Sequence, residues 1–248
     1  MPIERFAAVL NDLRAKILDG TYPAGEPLPR TDRLKDTYGV STAVITRATK
    51  ELKDEGLLWR VANRGMIVLP PPVPVRLSLT TAPQYEHDDW AAACHQAGLT
   101  GNIHTSRRIT TIDATRPFTE LFGINEGDPL VGWQRTAMVH GDVPVFHDRI
   151  FHPASVLGDA PPATLTPEAI QIARSRFDPS TSYADITTTV RPCRDKETNR
   201  LKVSEGTPIF DITRTFHDKN GRTYEMLRRI VNPLRVRLVD RGLPLTSR

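Results

Sequence analysis

The segment LPPPVPV, residues 69–75, divides this chain. Four prolines in five residues remove backbone donors and fix φ, so the stretch can be neither a helix interior nor a central strand. It reads as a stiff, extended linker. A domain boundary is therefore placed there, with residues 1–69 as one domain, 70–86 as a proline-rich linker and 87–248 as a second domain. A length of 248 residues suits two modest domains.

Ahead of the linker, apolar residues recur at helical spacing. Phe6, Leu10, Leu13 and Ile17 form one stripe, and Gly20 stands where a helix C′ residue belongs. TYPAGEPLPR reads as a loop. Thr31 can then cap a short helix through Leu34 and Tyr38, closed by Gly39, and Ser41 can cap a third helix that stops near Gly56. LLWRVANRGMIVL reads as two strands about a polar turn at Asn63, Arg64 and Gly65.

The third helix has an unusual outer face. Ile45, Ala48 and Leu52 make its apolar side, and the other side carries Thr42, Ala43, Thr46, Arg47 and Lys50. A helix that enters a DNA major groove, ~12 Å wide, must be slim on the inserted face. Hydroxyls and methyls reach base edges there, while arginine and lysine at the margin meet phosphates. The short turn Tyr38-Gly39-Val40 crosses one helix over the next, as in a helix-turn-helix. The hairpin tip, Arg64-Gly65, reads as a wing. From Leu28 to Arg64 there are eight basic residues against five acidic ones, a local excess on the elements that would face DNA, although the whole chain is only +4. The candidate DNA-binding residues are Arg30, Arg33, Ser41, Thr42, Ala43, Thr46, Arg47, Lys50, Arg64 and Gly65.

Phe6 to Val68 resembles the winged helix-turn-helix domain of the GntR family. The matching pieces are Ile17-Leu-Asp-Gly20, Gly25-Glu-Pro-Leu-Pro29, Leu34 and Tyr38-Gly-Val-Ser41, followed by Ala48, Leu52, Glu55-Gly-Leu-Leu58, Arg64-Gly65 and Val68. Family members often carry arginines where this chain has Thr42 and Thr46, so a relative's target sequence does not transfer.

Beyond the linker, DDWAAACHQAG reads as a helix capped near Asp88, and Thr115–Phe122 as a short helix before Gly123. Strand pairs are expected on either side of the His140-Gly141-Asp142 and Asn220-Gly221 turns. PEAIQIARSR and DKETNRLKV read as helices, and YADITTTV as a strand. LFGINEGDPLVGWQRT and LKVSEGTPIFDITRT share an order of elements, a weak internal duplication.

From about Asp88 to Leu238 the chain resembles the effector-binding UTRA domain of the HutC-like branch of that family. The resemblance rests on Leu121–Leu130, Arg135, Gly141-Asp-Val-Pro144, Phe151-His-Pro153, Glu197, Leu201, Glu205–Arg214, Asp218-Lys-Asn-Gly221 and Glu225. It implies an α/β (α+β) class: a winged helix-turn-helix domain followed by a chorismate-lyase-like domain with an antiparallel sheet and flanking helices. It also implies a small effector beside the sheet, at Arg135, Asp148, Ser182 or Tyr183, and Glu225. Arg135 interrupts the otherwise uncharged strand Leu130–Val139, so it needs a carboxylate partner, Asp148 or Glu225, or an anionic ligand. Trp133 beside it is either an aromatic wall for a planar effector or core.

Other features narrow the function. Cys94 and Cys193 are far apart and lack metal spacing, which fits a reducing compartment. His147 and His152 could share a metal only across a bend, and no third ligand is evident, so neither a metal nor a cofactor is expected. The arginines of LRRIVNPLRVRLVDRG, namely Arg228, Arg229, Arg235, Arg237 and Arg241, read as solvated residues of an alternating strand. No signal peptide or membrane span is seen, and the chain is expected in the cytoplasm, on the nucleoid. No nucleophile or acid–base constellation appears, so no enzyme is expected. The reading is a transcriptional regulator, a repressor released by a small-molecule effector, that binds an inverted-repeat operator in double-stranded DNA as a homodimer. A lyase-like enzyme with a DNA-binding appendage and a constitutive DNA-binding protein are the competing readings.

Overall fold

The computed structural model describes residues 2–82, 85–106, 108–158 and 165–240. The chain divides into two compact units. One is Met1–Pro74 together with Pro192–Thr207, and the other is Val75–Arg191 with the chain from Pro208 onward.

The first unit opens with α1 (Pro2–Leu18), α2 (Thr31–Tyr38) and α3 (Thr42–Asp54), followed by a hairpin of β1 (Leu58–Val61) and β2 (Gly65–Val68). Val9, Leu13 and Ile17 of α1 meet Leu34, Ile45, Ala48 and Leu52 in one core. The deepest line of α1 therefore runs through Val9, and Phe6 and Leu10 only flank it. Gly39 lets the chain turn between α2 and α3: its φ is 60°, left-handed, and its N–H donates to the carbonyl of Lys35. Thr31 is the first helical residue of α2 rather than its cap, a position held by Arg30. Ser41 does occupy the N-cap position of α3, without a capping side-chain bond. Tyr38 donates to Asp12 at 2.6 Å and Arg14 pairs with Glu55 at 2.5 Å, which ties α1 to both following helices.

The expected loop at residues 21–30 is a loop that makes one isolated bridge, Pro27 to Ile67 of β2. Leu28 N–H donates to the carbonyl of Met66 and Val68 N–H to that of Glu26, so this stretch runs antiparallel beside β2. Pro27 sits at the bridge without a donor of its own, a role an edge strand tolerates.

In the second unit, β3 (Val75–Leu77) pairs in parallel with β11 (Val236–Leu238). The proline-rich stretch thus ends at Pro74, and residues assigned to the linker already form a strand and the first residue of the next helix. The elements between are α4 (Glu86–Gln96), β4 (Gly101–Thr105), β5 (Thr110–Asp113), α5 (Arg116–Phe122), β6 (Pro129–Val139), β7 (Val143–Pro153), α6 (Pro167–Arg174) and β8 (Tyr183–Pro192). Then α7 (Asp195–Leu201), which clusters with the first unit, precedes β9 (Pro208–His217) and β10 (Thr223–Val231). The N-cap of α4 is Tyr85, three residues before the expected cap near Asp88.

The main sheet has the order β4-β6-β7-β10-β9-β8, with β5 also on β6. Strand, short helix and hairpin occur twice, as β5-α5-β6-β7 and β8-α7-β9-β10, and β7 meets β10 antiparallel at the centre. This topology has the form of the duplication read from the sequence. Strand alternation puts Trp133, Arg135, Asp148, Ile150, His152, Leu227, Arg229 and Arg214 on one face. α4 covers one end of that face, where Trp90 meets Phe146 edge-on at 5.2 Å. Ile170 and Ala173 of α6 cover the other end, packed with Trp133 and Leu227. A bulge at Tyr224 turns its ring into the same cluster, stacked on Phe177 at 3.7 Å. His147 faces the opposite side of β7 from His152, so the two cannot share a metal.

Cys94 is fully buried against β4, as packing, and burial pushes its thiol up to about 11. A Cβ on Gly101 would overlap Cys94 Sγ and lie 2.8 Å from Cys94 Cβ. Gly101→Ala is therefore expected to lower stability by about 2 kcal/mol. Cys94→Ala in the same chain should restore only part, because the close approach to Cβ remains. Urea midpoints of the single and double variants check this.

His152 is fully buried, and its Nδ1–H donates to the carbonyl of Tyr224 at 3.1 Å. Burial, partly offset by the Glu225 carboxylate, lowers its pKa from 6.5 to about 4. Below about pH 6.5 the unfolded chain takes up a proton that the folded chain refuses until about pH 4, so stability falls as pH drops through that window. Between pH 7 and 5 the expected loss is about 2 kcal/mol. His152→Asn keeps the bond to Tyr224 and removes the titration, so denaturation at the two pH values should show a smaller difference.

Candidate nucleic-acid interface and effector site

Two candidate sites emerge, one in each unit. On α3, Ser41, Thr42, Ala43, Thr46, Arg47 and Lys50 are all exposed, while Ile45, Ala48 and Leu52 hold the helix to the core. Thr49 does not join the exposed set, because its hydroxyl donates back to the carbonyl of Ile45 at 3.0 Å. The Arg47 guanidinium lies 4.2 Å from the ring centroid of Phe6, which orients a long side chain at the edge of the helix.

Beside this helix lies a concavity of about 700 Å³, bounded by Pro27–Leu34 and by the hairpin, Asn63–Met66. Arg30, Arg33, Arg60 and Arg64 all line it. The turn that presents Arg64 needs left-handed backbone at Asn63 (φ 62°) and Gly65 (φ 87°). Arg64 Nη2 donates to the carbonyl of Gly25 at 3.2 Å and so fixes the tip against the strand below. Arg60 was missed as a site residue. It is exposed on β1 although alternation puts it on the face of buried Leu58, so the strand period gave no signal for it.

In the second unit, charges line up across three adjacent strands. Asp148 accepts from Arg135 Nε at 2.7 Å on one side, and from Arg229 Nε at 2.7 Å and Nη2 at 2.8 Å on the other. Asp148 is thus the carboxylate partner that Arg135 required. Glu225 is not: it is held by Arg174 of α6, at 2.7 and 3.0 Å. Glu86, from the first turn of α4, accepts from Arg135 through Oε2 and from Arg214 and Arg229 through Oε1. Arg214 also donates to the carbonyl of Thr81. Burial raises the pKa of Glu86 and of Asp148, but the surrounding arginines overcome that and hold both well below the usual carboxylate range.

Trp133 is buried between the two charge clusters, with Arg135 5.9 Å and Arg174 5.5 Å from its ring centroid. Its indole Nε1 and the Nε2 of His152 are buried without a hydrogen-bond partner among the described residues. Trp133, Arg135, Asp148 and Glu225 therefore share one face. Ser182 and Tyr183 lie at the start of β8: Ser182 Oγ donates to the carbonyl of Asp178 at 2.8 Å and its side chain also hydrogen-bonds that of Tyr224, while the exposed Tyr183 ring stacks on His217 at 4.8 Å.

The residues missed from the sequence are Glu86, Arg174, Arg214 and Arg229. Arg229 and Arg235 are buried, against the expectation of solvated arginines, whereas the neighbouring Arg228 turns to the other face and pairs with Asp211. Arg241 lies outside the described residues. Next to Glu86 is a cavity of about 360 Å³, within the range of small-molecule sites. Ser78, Thr81, Glu86, Trp90, Phe146 and Arg229 are among the residues of its wall.

The chain matches two family models. Residues 6–68 match the gntR family of bacterial regulatory proteins, and residues 104–237, more than half of the chain, match the UTRA domain. Over 235 residues it is 23% identical to the HTH-type transcriptional repressor NagR of Bacillus subtilis (strain 168), covering 90% of this chain and 88% of that protein. Its fold is similar to that of PhnF from Mycobacterium smegmatis, at a TM-score of 0.52 and 20% identity, covering 93% of this chain and 97% of that one. It is also similar to YydK from Bacillus subtilis, at a TM-score of 0.51 and 16% identity, covering 96% and 99%. With the helix-turn-helix, the wing and the antiparallel sheet in place, these matches settle the family: the chain belongs to the GntR-family transcriptional regulators, with a winged-helix DNA-binding domain and an effector-binding UTRA domain.

Proposed function

We propose that this regulator is a cytoplasmic repressor of the HutC-like branch, binding an inverted-repeat operator as a homodimer and released by a small effector. The observation that carries the reading is the exposed face of α3. Slim side chains at Ser41, Thr42, Ala43 and Thr46 suit the groove floor, and Arg47 and Lys50 suit its rails. Arg30, Arg33, Arg60 and Arg64, around the neighbouring concavity, suit a phosphate strand. A two-fold protein matches a two-fold operator. The name of the relative NagR supports the sign of control. The effector would occupy the cavity over the sheet and favour a state with lower operator affinity. The lyase-like alternative gains nothing from the sheet face, where Glu86, Asp148 and Glu225 are all engaged by arginines.

A genomic footprint of the purified chain supplies the operator, and titrations at several salt concentrations test the interface. Arg47→Ala and Arg64→Ala are each expected to weaken operator binding and to reduce the slope of log affinity against log salt by about 0.9 for each phosphate no longer neutralised. Thr46→Ala should instead change discrimination between operator variants at an unchanged slope. Slopes identical to wild type in both arginine variants would remove this interface from consideration.

A further inference from the structure

The arginines on and against the covered face of the sheet outnumber the acids beside them. Among the described residues, Arg135, Arg174, Arg214 and Arg229 are buried at this face with Glu86, Asp148 and Glu225, while His152 is held neutral by its burial. Without Glu86 the surplus would be two positive charges. Arg214 shows the shortfall directly. Its side chain is fully buried, and its Nε has no acceptor among the described residues. A buried guanidinium donor left unmade is costly, so the site favours an additional or better placed anion.

Glu86 is unlike the other two carboxylates. Asp148 and Glu225 project from central strands of the sheet, and register fixes them there. Glu86 is the first residue of α4, and among the described residues the segment before it is held by side-chain bonds to Asp240, Asp89 and Arg214. Ser78 and Thr80 donate to Asp240 at 2.5 and 3.0 Å, and Thr81 accepts from Arg214. The residue before it, Tyr85, is exposed. Glu86 also forms part of the wall of the 360 Å³ cavity, with Arg229 and Trp90. A molecule entering that cavity therefore meets the Glu86 carboxylate and Arg229, with Arg76, Asp89 and Asp240 also on the wall.

We propose that Glu86 is a built-in ligand: its carboxylate fills a seat formed by Arg135, Arg214 and Arg229, and an effector bearing a carboxylate takes that seat and releases the first turn of α4. The inference rests on the reading of this cavity as the effector site. The ligand class follows from geometry. Glu86 uses one oxygen for Arg135 and the other for Arg214 and Arg229, a planar two-oxygen arrangement that a second carboxylate reproduces and a spherical anion does not. Exchange keeps the charge of the seat constant, so the net cost is only that of undocking the turn. The cavity leaves room for the rest of the effector, with Trp90 and Phe146 on its apolar side.

Acetate is the probe, and the full chain is used throughout. Glu86→Ala should melt at a lower temperature than wild type in sodium chloride at pH 7 and recover saturably in sodium acetate at the same ionic strength. Calorimetric titration should give acetate at least tenfold tighter binding to the variant than to wild type, where Glu86 competes. If Glu86→Ala does not fold, Glu86→Gln keeps the shape with a weaker hold and should still bind acetate more tightly than wild type. Equal acetate affinity in wild type and both variants, abolished when Arg214→Gln is introduced, would overturn the competition while leaving the effector cavity in place. No acetate response beyond chloride in any of them would overturn both, leaving a closed structural cluster. Tighter binding of inorganic phosphate than of acetate to Glu86→Ala would overturn the carboxylate assignment.

Discussion

Asp148 sits on a central strand with an arginine on each side, and much of the second unit is arranged around that fact. Its two neighbours are one rung away on β6 and β10. Each ion taken from water costs several kcal/mol even after relaxation, and only close pairing offsets it. One carboxylate cannot offset two guanidinium groups, and Arg214 adds a third nearby. The missing negative charge arrives from outside the sheet, on the first turn of α4. That helix has few apolar anchors, chiefly Trp90 and Cys94. Its position is thus set as much by charge compensation as by apolar burial. The same requirement holds the Thr81 carbonyl to Arg214.

Much of the first unit was legible in the sequence because its determinants are local. Helical period, a left-handed Gly39 and a tight hairpin turn each act within a few residues. The failures there are also local. Pro27 concealed a bridge from the loop to β2, since a residue without a donor gives no pairing signal even when its neighbours make the backbone bonds. In the second unit, the strands around the Asn220-Gly221 and His140-Gly141 turns were readable. β4 and β5 were not, being short, polar and dependent on β6 for every ladder bond.

The candidate effector site was only half legible. Arg135 stood out as a charge in an apolar strand, and its demand for a carboxylate, Asp148 or Glu225, or for an anionic ligand followed. The partners of Glu86 lie 49, 128 and 143 residues away in sequence, beyond any local pattern. One signal was available and was misread. Arg228 and Arg229 are adjacent in a strand, and a strand sends adjacent side chains to opposite faces. In a sheet covered on one side, one of the two had to be buried, and a buried arginine requires an acid.

The two candidate sites use one residue type under opposite solvation, and this governs how each can respond. Arg30, Arg33, Arg47 and Arg64 are exposed, so mobile ions screen them over about 8 Å at physiological salt. Their hold on a polyanion is long in reach and graded by ionic strength. Arg135, Arg214 and Arg229 are buried, where screening is weak and short contacts dominate. A passing anion gains little there unless it matches the seat atom for atom. A regulator needs both behaviours. It must find one duplex site among many by loose, salt-tuned attraction, and it must tell one small molecule from its neighbours by contacts that salt does not blur.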